Sequence, residues 1–560
     1  MKFETIEELS TPERIESIAK YLVSILSVNG TAGEVNLADA IYELVQSAPY
    51  FTAHPECVWQ QVLEDDSLKR KNNFALLKKT GVSKTVILHS HMDTVGVEDY
   101  GPIKGIANDS DALQAFFKNY DEDPLIQEHA KSGDWLFGRG MLDMKSGDAV
   151  NIATLFYYME HPDELPCNLL LMTNCVEEND HTGAIQASSE LLRLRQAGYE
   201  FQAAVNTDFI SPSYDGDEKK YIYTGAAGKM LTCFYIKGRE THVGSCLMGI
   251  DATMISSAIN LKINTNLDLV EKIDNEDILP SSVLLQRDCK DFYNVQTNKR
   301  ANLYFNTFLY EKSADTILHT LMEASREAVH EVSRHYKERF KIYSERSHIH
   351  SQISHDITVM TFSQYLDVLE KKGFDSQALI REFFETIGDF DKREVGFDLI
   401  DYLEAKTQSD EAKVIVFLAP PFCPHNYTDK DSDVDQALEK MMAEFPEEHF
   451  VKRRFFPFLS DSSYLAMRES PEDIEKLKAN FPLMDAIYPL PVDTIRKLDI
   501  PALDLGVYGI GAHTWKERLY KSYSYHTLPK VIRSFIKHLS YHPRPPKGSC
   551  WHSSCWCLGW

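Results

Sequence analysis

The chain has 560 residues, of which 26% are charged and 43% hydrophobic, as in a folded protein with room for several domains. Its formal net charge of -25 disfavours nucleic acid and anionic membranes as partners, because both would repel such a surface. No apolar run approaches the roughly 18 residues of a membrane span, and the acidic N-terminus lacks the basic flank of a signal peptide. Because the ten cysteines are scattered, mostly in apolar stretches, we predict a cytoplasmic protein with reduced thiols.

The first half of the chain alternates β-branched runs with helical patterns. The predicted elements are a strand at 85–88, a helix at 148–159, a strand at 169–176, a helix at 183–197 and a strand at 201–205. This alternation predicts an α/β fold with a mostly parallel sheet flanked by helices. Active residues of such sheets gather at the carboxyl ends of the strands.

Polar side chains follow the first predicted strand and precede the first helix. Side chains alternate along an extended segment, so His91 and Asp93 are expected to share a face. An isolated histidine is more often structural, but an adjoining aspartate and a strand end favour a metal ligand. Asp143 lies in the glycine-rich segment 138–147, just before a helix, where it is either a ligand or a helix N-cap.

Three further strand ends carry residues that suit a metal site. Glu177 and Glu178 follow the strand at 169–176, Asp208 follows the strand at 201–205, and His513 lies in a glycine-rich loop after an apolar run at 502–507. Burying two adjacent carboxylates is costly unless a cation pairs with them, although a solvated loop is the simpler alternative for this pair. One glutamate would then bind metal while the other transfers protons.

From about Tyr221 the pattern changes to strand, helix, two strands and a long helix, which predicts a smaller α+β domain inserted into the first. We place this domain at 225–411, including a charged, helical insertion at about 340–411. The strand pattern resumes at Ala412, so 1–224 and 412–542 form the predicted catalytic domain. The cysteine- and tryptophan-rich tail at 543–560 is assigned no function.

These segments resemble the di-zinc peptidase and deacylase superfamily of acetylornithine deacetylase, succinyl-diaminopimelate desuccinylase, aminoacylase and glutamate carboxypeptidase. The matching segments are 91–93, 138–145, 177–184 and His513. Within it the chain is most similar to the bacterial arginine-utilisation branch of deacylases. The resemblance covers nearly the whole chain except about 340–411. It implies a zinc-peptidase-like mixed sheet, an inserted lid and dimerisation domain, and a homodimer through that domain.

The resemblance also implies a role for each site residue. Asp143 would bridge two divalent metal ions, expected to be zinc, with manganese or cobalt as alternatives. The remaining ligands would be His91 and Asp208 at one metal, and Glu178 and His513 at the other. Glu177 would be the general base and Asp93 would orient His91. His242, in the inserted domain, would hydrogen-bond the oxyanion, whereas the sequence alone indicates a surface histidine.

The expected activity is metal-dependent hydrolysis of an amide bond in a small amino-acid-derived substrate or short peptide, in arginine metabolism. Asp208 stands where deacylases of this family usually have glutamate, so an aminopeptidase or dipeptidase is the alternative within the enzyme class. A binding protein with an inert site is the alternative of another class. Phe308 stands where relatives carry an arginine that grips the substrate carboxylate. We therefore expect weak recognition of a free carboxylate, unless a basic residue such as Lys299 or Arg300 replaces that arginine.

Overall fold

The computed structural model describes residues 1–540 apart from 274–275, 277–278, 349–351, 389, 457, 459 and 485, so the tail at 543–560 lies outside the described residues. The α-helices are α1 (Thr11–Ser24), α2 (Ala32–Gln46), α3 (Pro49–Ala53), α4 (Ser110–Lys118), α5 (Pro124–Ser132), α6 (Ser146–Glu160), α7 (Thr182–Gln196), α8 (Ala252–Ile263), α9 (Ala314–Ser347), α10 (Phe362–Lys371), α11 (Ser376–Thr386), α12 (Val395–Thr407), α13 (Asp433–Glu444), α14 (Pro471–Ala479), α15 (Val492–Leu498) and α16 (Leu528–Ser540). The strands are β1 (Val58–Val62), β2 (Lys71–Leu77), β3 (Lys84–His91), β4 (Trp135–Phe137), β5 (Asn168–Asn174), β6 (Glu200–Asn206), β7 (Phe209–Ile210), β8 (Lys220–Tyr223), β9 (Gly225–Ala226), β10 (Gly228–Lys237), β11 (Ser282–Asp288), β12 (Arg300–Leu309), β13 (Thr358–Thr361), β14 (Lys413–Cys423), β15 (Asn426–Tyr427), β16 (Phe450–Arg453), β17 (Ala502–Asp504), β18 (Val507–Ile510) and β19 (Arg518–Tyr520).

An eight-stranded sheet forms the centre of the larger domain, in the order β1-β2-β5-β3-β6-β17-β8-β16. Strand β3 lies between β5 and β6 and is parallel to both. Its apolar run Val86–Leu88 is fully buried, as expected for a strand with both faces covered. Helix α6 packs on β3 and β5, and α7 packs on β2 and β5. The predicted α/β fold with a mostly parallel sheet flanked by helices is confirmed.

A smaller five-stranded sheet, in the order β11-β12-β10-β14-β13, forms the second structural unit. Strand β10 pairs antiparallel with β12 on one side and with β14 on the other. Helix α8 packs against α9 and β12, so apolar residues such as Ile255 and Ile259 are buried beneath it. The unit has the predicted strand and helix order, with helices α10, α11 and α12 added between β13 and β14.

We predicted that the chain returns to the catalytic sheet at Ala412. This prediction is wrong for the strand that begins there. Strand β14 pairs with β10 from Lys413 opposite Lys237 to Cys423 opposite Lys229, and therefore belongs to the five-stranded sheet. All residues of β14 are buried, and such an uninterrupted run does not reveal which sheet it joins. Later residues such as Leu477 and Phe481 also pack into this second core.

Among the described residues, no helix combines the length and the apolar character needed to cross a membrane.

Candidate active site

The carboxyl ends of three parallel strands bring acids and a histidine to one edge of the large sheet. His91 ends β3 and lies opposite Asn174, the last residue of β5. Glu177 follows β5, and Asp208 follows β6. Because these strands are parallel neighbours, the side chains that follow them converge.

Asp143 occupies the centre of this cluster, in a turn between β4 and α6, with its two carboxylate oxygens facing different histidines. Its Oδ1 atom lies 3.1 Å from Nε2 of His91. Its Oδ2 atom lies 3.0 Å from Nε2 of His513, which is also 3.2 Å from Oε1 of Glu178. A carboxylate that bridges two cations has this arrangement of oxygens.

The donor atoms form two groups that share Asp143. Within each group they lie within 4.8 Å of one another, and the groups are His91, Asp143 and Asp208, and Asp143, Glu178 and His513. With Glu177, the site therefore gathers four carboxylates around two imidazoles. Since burying unpaired charge is costly, two divalent cations would balance this excess of negative charge. Carboxylate and imidazole donors suit zinc, manganese and cobalt, so the residues present fit the metals that the resemblance implies.

The electrostatics agree with a site built to hold positive charge. Hydrogen bonds to Asp143 and Glu178 raise the pKa of His513 to about 11. Burial raises the pKa of Asp208 to about 7, aided by the neighbouring charge of Asp143. Burial also acts to raise the pKa of Asp143, but hydrogen bonds from His513 and His91 outweigh it and hold that pKa below its usual range. Positive charge between these carboxylates is therefore strongly favoured.

Glu177 lies beside the bridging cluster but belongs to neither group that contains Asp143. Its Oε2 atom is 3.9 Å from Nε2 of His91, and its Oε1 atom is 3.9 Å from Nδ1 of His181. Burial raises the pKa of Glu177 well above its usual range. A buried carboxylate with an elevated pKa, next to the predicted metal ligands, suits a group that takes up and returns a proton.

The sequence did not identify His181, although it follows the Glu177–Glu178 pair closely. Its Nδ1 atom lies 2.9 Å from Oδ1 of Asp461, and donor atoms of Glu177, His181 and Asp461 lie within 4.8 Å of one another. Asp461 is therefore joined to the site through this histidine. The His181–Asp461 pair therefore packs next to the carboxylate of Glu177.

Asp93 holds the turn that carries the two glutamates. Its Oδ1 and Oδ2 atoms accept hydrogen bonds from the backbone N–H groups of Glu177 and Glu178 at 2.9 and 3.0 Å, and Asn29 donates to Oδ2 at 2.8 Å. Nδ1 of His91 lies 3.1 Å from the backbone carbonyl oxygen of Asp93 and 3.8 Å from its carboxylate. Asp93 therefore contacts His91 mainly through its main chain.

A second supporting acid is Glu517, which the sequence did not identify. Its Oε1 atom accepts hydrogen bonds from the backbone N–H groups of Leu142 at 2.9 Å and Asp143 at 3.2 Å. Its Oε2 atom accepts a hydrogen bond from Arg139 at 2.8 Å, and both side chains are almost fully buried. This pair links the turn of the bridging aspartate to the loop of His513.

A cavity of about 610 Å³ opens onto the cluster and is the natural place for a substrate. Its lining includes all five predicted metal ligands and Glu177. The other walls include Ser211, Asn306, Lys229 and a group of phenylalanines. Residues of both sheets therefore surround the space next to the cluster.

His242 does not line this cavity in the single chain. It is exposed on the smaller domain, at the start of a short turn of helix, where the backbone N–H of Gly244 donates to its Nδ1 atom at 3.1 Å. The proposed oxyanion role therefore needs either a movement of the domain or a second chain.

Comparison with known proteins gives extended similarity to two of them. Protein RocB of Bacillus subtilis (strain 168) is 44% identical over 549 residues, which cover 96% of this chain and 97% of RocB. The uncharacterized protein YqjN of the same organism is 31% identical over 537 residues, which cover 94% of this chain and 97% of YqjN. No protein-family model matches the chain.

Among solved structures, the aminopeptidase PepT of Bacillus cereus ATCC 10987 has a TM-score of 0.52 with 14% identity, covering 94% of this chain and 99% of PepT. At that identity the likeness concerns the fold. The similarity to RocB confirms the bacterial branch to which the sequence pointed. The chain belongs to the RocB family, and it has the fold of PepT.

Proposed function

We propose that the chain is a metal-dependent hydrolase that cleaves an amide bond in a small, amino-acid-derived substrate. The observation that carries this proposal is the position of Asp143 between His91 and His513, with the separate carboxylate of Glu177 beside the same cavity. The position of Asp143 between the two histidines supports binding of a pair of cations. The carboxylate of Glu177 provides a base that is not needed as a ligand of those cations.

In the proposed reaction, His91, Asp143, Asp208, Glu178 and His513 hold two divalent ions. Bound in this way, the ions supply Lewis acidity, which lowers the pKa of water and polarises a carbonyl group. Glu177 takes a proton from the attacking water and then transfers it to the nitrogen of the leaving amine. Asp93 keeps Glu177 in place through the backbone N–H of that residue.

We propose zinc as the physiological metal, with manganese and cobalt as alternatives, since the donor set of carboxylate and imidazole accepts all three. The direct test removes metal with a chelator and restores zinc, manganese or cobalt separately. Each form is then assayed with N-acyl amino acids and with di- and tripeptides. Metal-dependent release of the acyl group supports a deacylase, whereas hydrolysis of peptides alone supports the aminopeptidase alternative. A protein that binds metal and hydrolyses neither class would be the inert binding protein.

We also propose a homodimer formed through the smaller domain. Strand β11 is an edge strand of the five-stranded sheet, and Leu284 within it is 57% exposed. Leu261 on the adjacent α8 is 87% exposed, and Tyr293, beyond β11, is also 87% exposed. An apolar edge of this kind favours pairing with another strand. Through such a dimer, His242 of one chain would hydrogen-bond the oxyanion in the site of the other.

The cytoplasmic location and a role in arginine utilisation stay predictions.

A further inference from the structure

Lys229 places a cation in the substrate cavity that the sequence did not identify. It lies on β10, directly opposite Phe308 of β12 and Cys423 of β14, and its side chain lines the same cavity as Glu177. Phe308 occupies the position of the arginine that relatives carry. The cation is therefore present one strand away from the position where it was expected.

The ammonium group of Lys229 forms no hydrogen bond or ion pair with any other residue in the described part of the chain. The side chain is partly buried, and burial lowers its pKa, against the opposing influence of Cys423 and Glu177. A sheltered cation without a partner inside a binding cavity is well placed to receive an anion.

The two basic residues named from the sequence lie elsewhere. Lys299 and Arg300 line another cavity, of about 590 Å³, at the opposite end of β12. There, Arg300 pairs with Asp401, and Lys299 lies 3.6 Å from Glu240. Neither can take the place of the missing arginine in the substrate cavity.

Part of the wall of the substrate cavity is aromatic. Phe209, Phe308, Phe456 and Phe458 all line it. The ring centroids of Phe209 and Phe458 are 5.2 Å apart, and those of Phe456 and Phe458 are 5.5 Å apart. Phe458 is 51% exposed. Burying an apolar group of a substrate against these rings would be favourable.

Among the described residues that line the cavity, no acid is left to pair with a cationic side chain of the substrate. The carboxylates among its described lining residues are Asp143, Glu177, Glu178 and Asp208. Three are assigned to the metals and Glu177 to proton transfer. A guanidinium group in this cavity would therefore lack a carboxylate partner and would lie near the ammonium of Lys229.

We propose that Lys229 binds a free carboxylate of the substrate, and that the phenylalanine wall receives an apolar side chain rather than a guanidinium group. The substrate is then an N-acyl amino acid or short peptide with a free carboxylate and an apolar side chain. This inference rests on the proposed hydrolase function, and it reverses the weak carboxylate recognition that Phe308 alone predicts.

The test compares three probes with the metal-loaded, full-length protein: N-acetyl-L-phenylalanine, its C-terminal amide and N-acetyl-L-arginine. Acetate release gives kcat/KM for each. For the wild type, amidation is expected to lower kcat/KM at least about 30-fold, on the scale of a lost buried charge pair. The arginine derivative is expected to fall below the phenylalanine derivative by about tenfold or more.

Variants of Lys229 separate carboxylate binding from a structural role. Lys229→Met is expected to bring the acid-to-amide ratio to about 1 by raising KM for the acid, whereas Lys229→Arg should keep a ratio above about 10. The exposed Lys299→Met is the matched control and should retain the wild-type ratio. Equal rates for acid and amide in the wild type, or an equal loss of both in Lys229→Met, would overturn the proposal.

Failure of the hydrolase function itself would look different, because neither these probes nor di- and tripeptides would then be hydrolysed with any of the three metals. Calorimetric binding of N-acetyl-L-phenylalanine to the wild type and to Lys229→Met tests the lysine independently of turnover. A Kd that is about tenfold or more weaker for the variant supports the carboxylate site. The same Kd in both proteins, or binding by neither, contradicts it.

Discussion

The Oδ1 atom of Asp93 accepts a hydrogen bond from the backbone N–H of Glu177 at 2.9 Å, so the residue expected to orient a histidine also fixes the proposed base. An asparagine at position 93 would place an amide N–H₂ group against at least one of the donors that now point at the carboxylate. Asp93→Asn should therefore lower kcat about 10- to 100-fold, as is typical when support of a metal ligand is lost. The exposed Asp111→Asn is the control and should match the wild type in kcat. A wild-type kcat in Asp93→Asn would show that Asp93 does not position Glu177 for the reaction.

Replacing each of the two adjacent glutamates with alanine is predicted to have a different effect. Glu177→Ala should lower kcat by about a thousandfold or more while both metals stay bound, because in the proposed mechanism Glu177 is the base and not a ligand. Glu178→Ala should instead lose the metal held with His513. Metal content of each purified variant, measured beside kcat, distinguishes the two effects. If Glu177→Ala loses metal and Glu178→Ala keeps it, the two roles have been exchanged.

The helical insertion contacts the loop after these glutamates. Arg393 donates to Oδ1 of Asn179 at 3.0 Å, and Lys392 lies 3.3 Å from Asp180. Arg393→Glu would set a negative charge near Asp180 and displace the loop, so kcat/KM should fall about tenfold.

The control for this effect is Arg381→Glu, an exposed charge reversal on α11 of the same insertion. It should leave kcat/KM at the wild-type value. A similar loss in both variants would show a general effect on the insertion, and no loss in Arg393→Glu would mean that this contact does not position the loop.

Subunit mixing tests the proposed use of His242 across a dimer. Glu177→Ala and His242→Ala chains are each expected to be inactive, but hybrid dimers would contain one site with both groups intact. Mixing should then restore activity, up to about a quarter of the wild-type value if exchange is random. Exchange is followed with differently tagged chains. If hybrids form without activity, His242 acts within its own chain or has no part in the reaction.

The residues that the sequence assigned to the candidate site come close together in the fold, and they could be found because they are tied to local features. His91, Glu178 and Asp208 follow apolar runs that were recognisable as parallel strands, and strand ends meet in such sheets. Asp143 and His513 lie in glycine-rich turns that the family resemblance also matched. Their contact at 3.0 Å follows from the fold and not from their separation along the chain.

Other features depend on pairings that one sequence does not encode locally. Lys229 lies opposite Phe308 because of the register in which β10 and β12 pair. The sequence of the two strands does not determine that register. Strand β14 was placed in the wrong sheet because an apolar run looks the same beside either one. The hydrogen bonds that Glu517 accepts from the turn of Asp143 join distant segments, so only the folded chain shows that the two segments support each other.

The central claim is that Asp143 holds two metal ions that are required for amide hydrolysis. The most direct measurement is a titration of the chelator-treated protein with zinc, following bound metal by calorimetry and acetate release from N-acetyl-L-phenylalanine together. We predict that activity is absent in the metal-free protein and rises until two ions are bound, and that Asp143→Ala binds neither ion tightly and stays inactive. Amide hydrolysis by the metal-free protein, or two tightly bound ions in Asp143→Ala, would contradict the account.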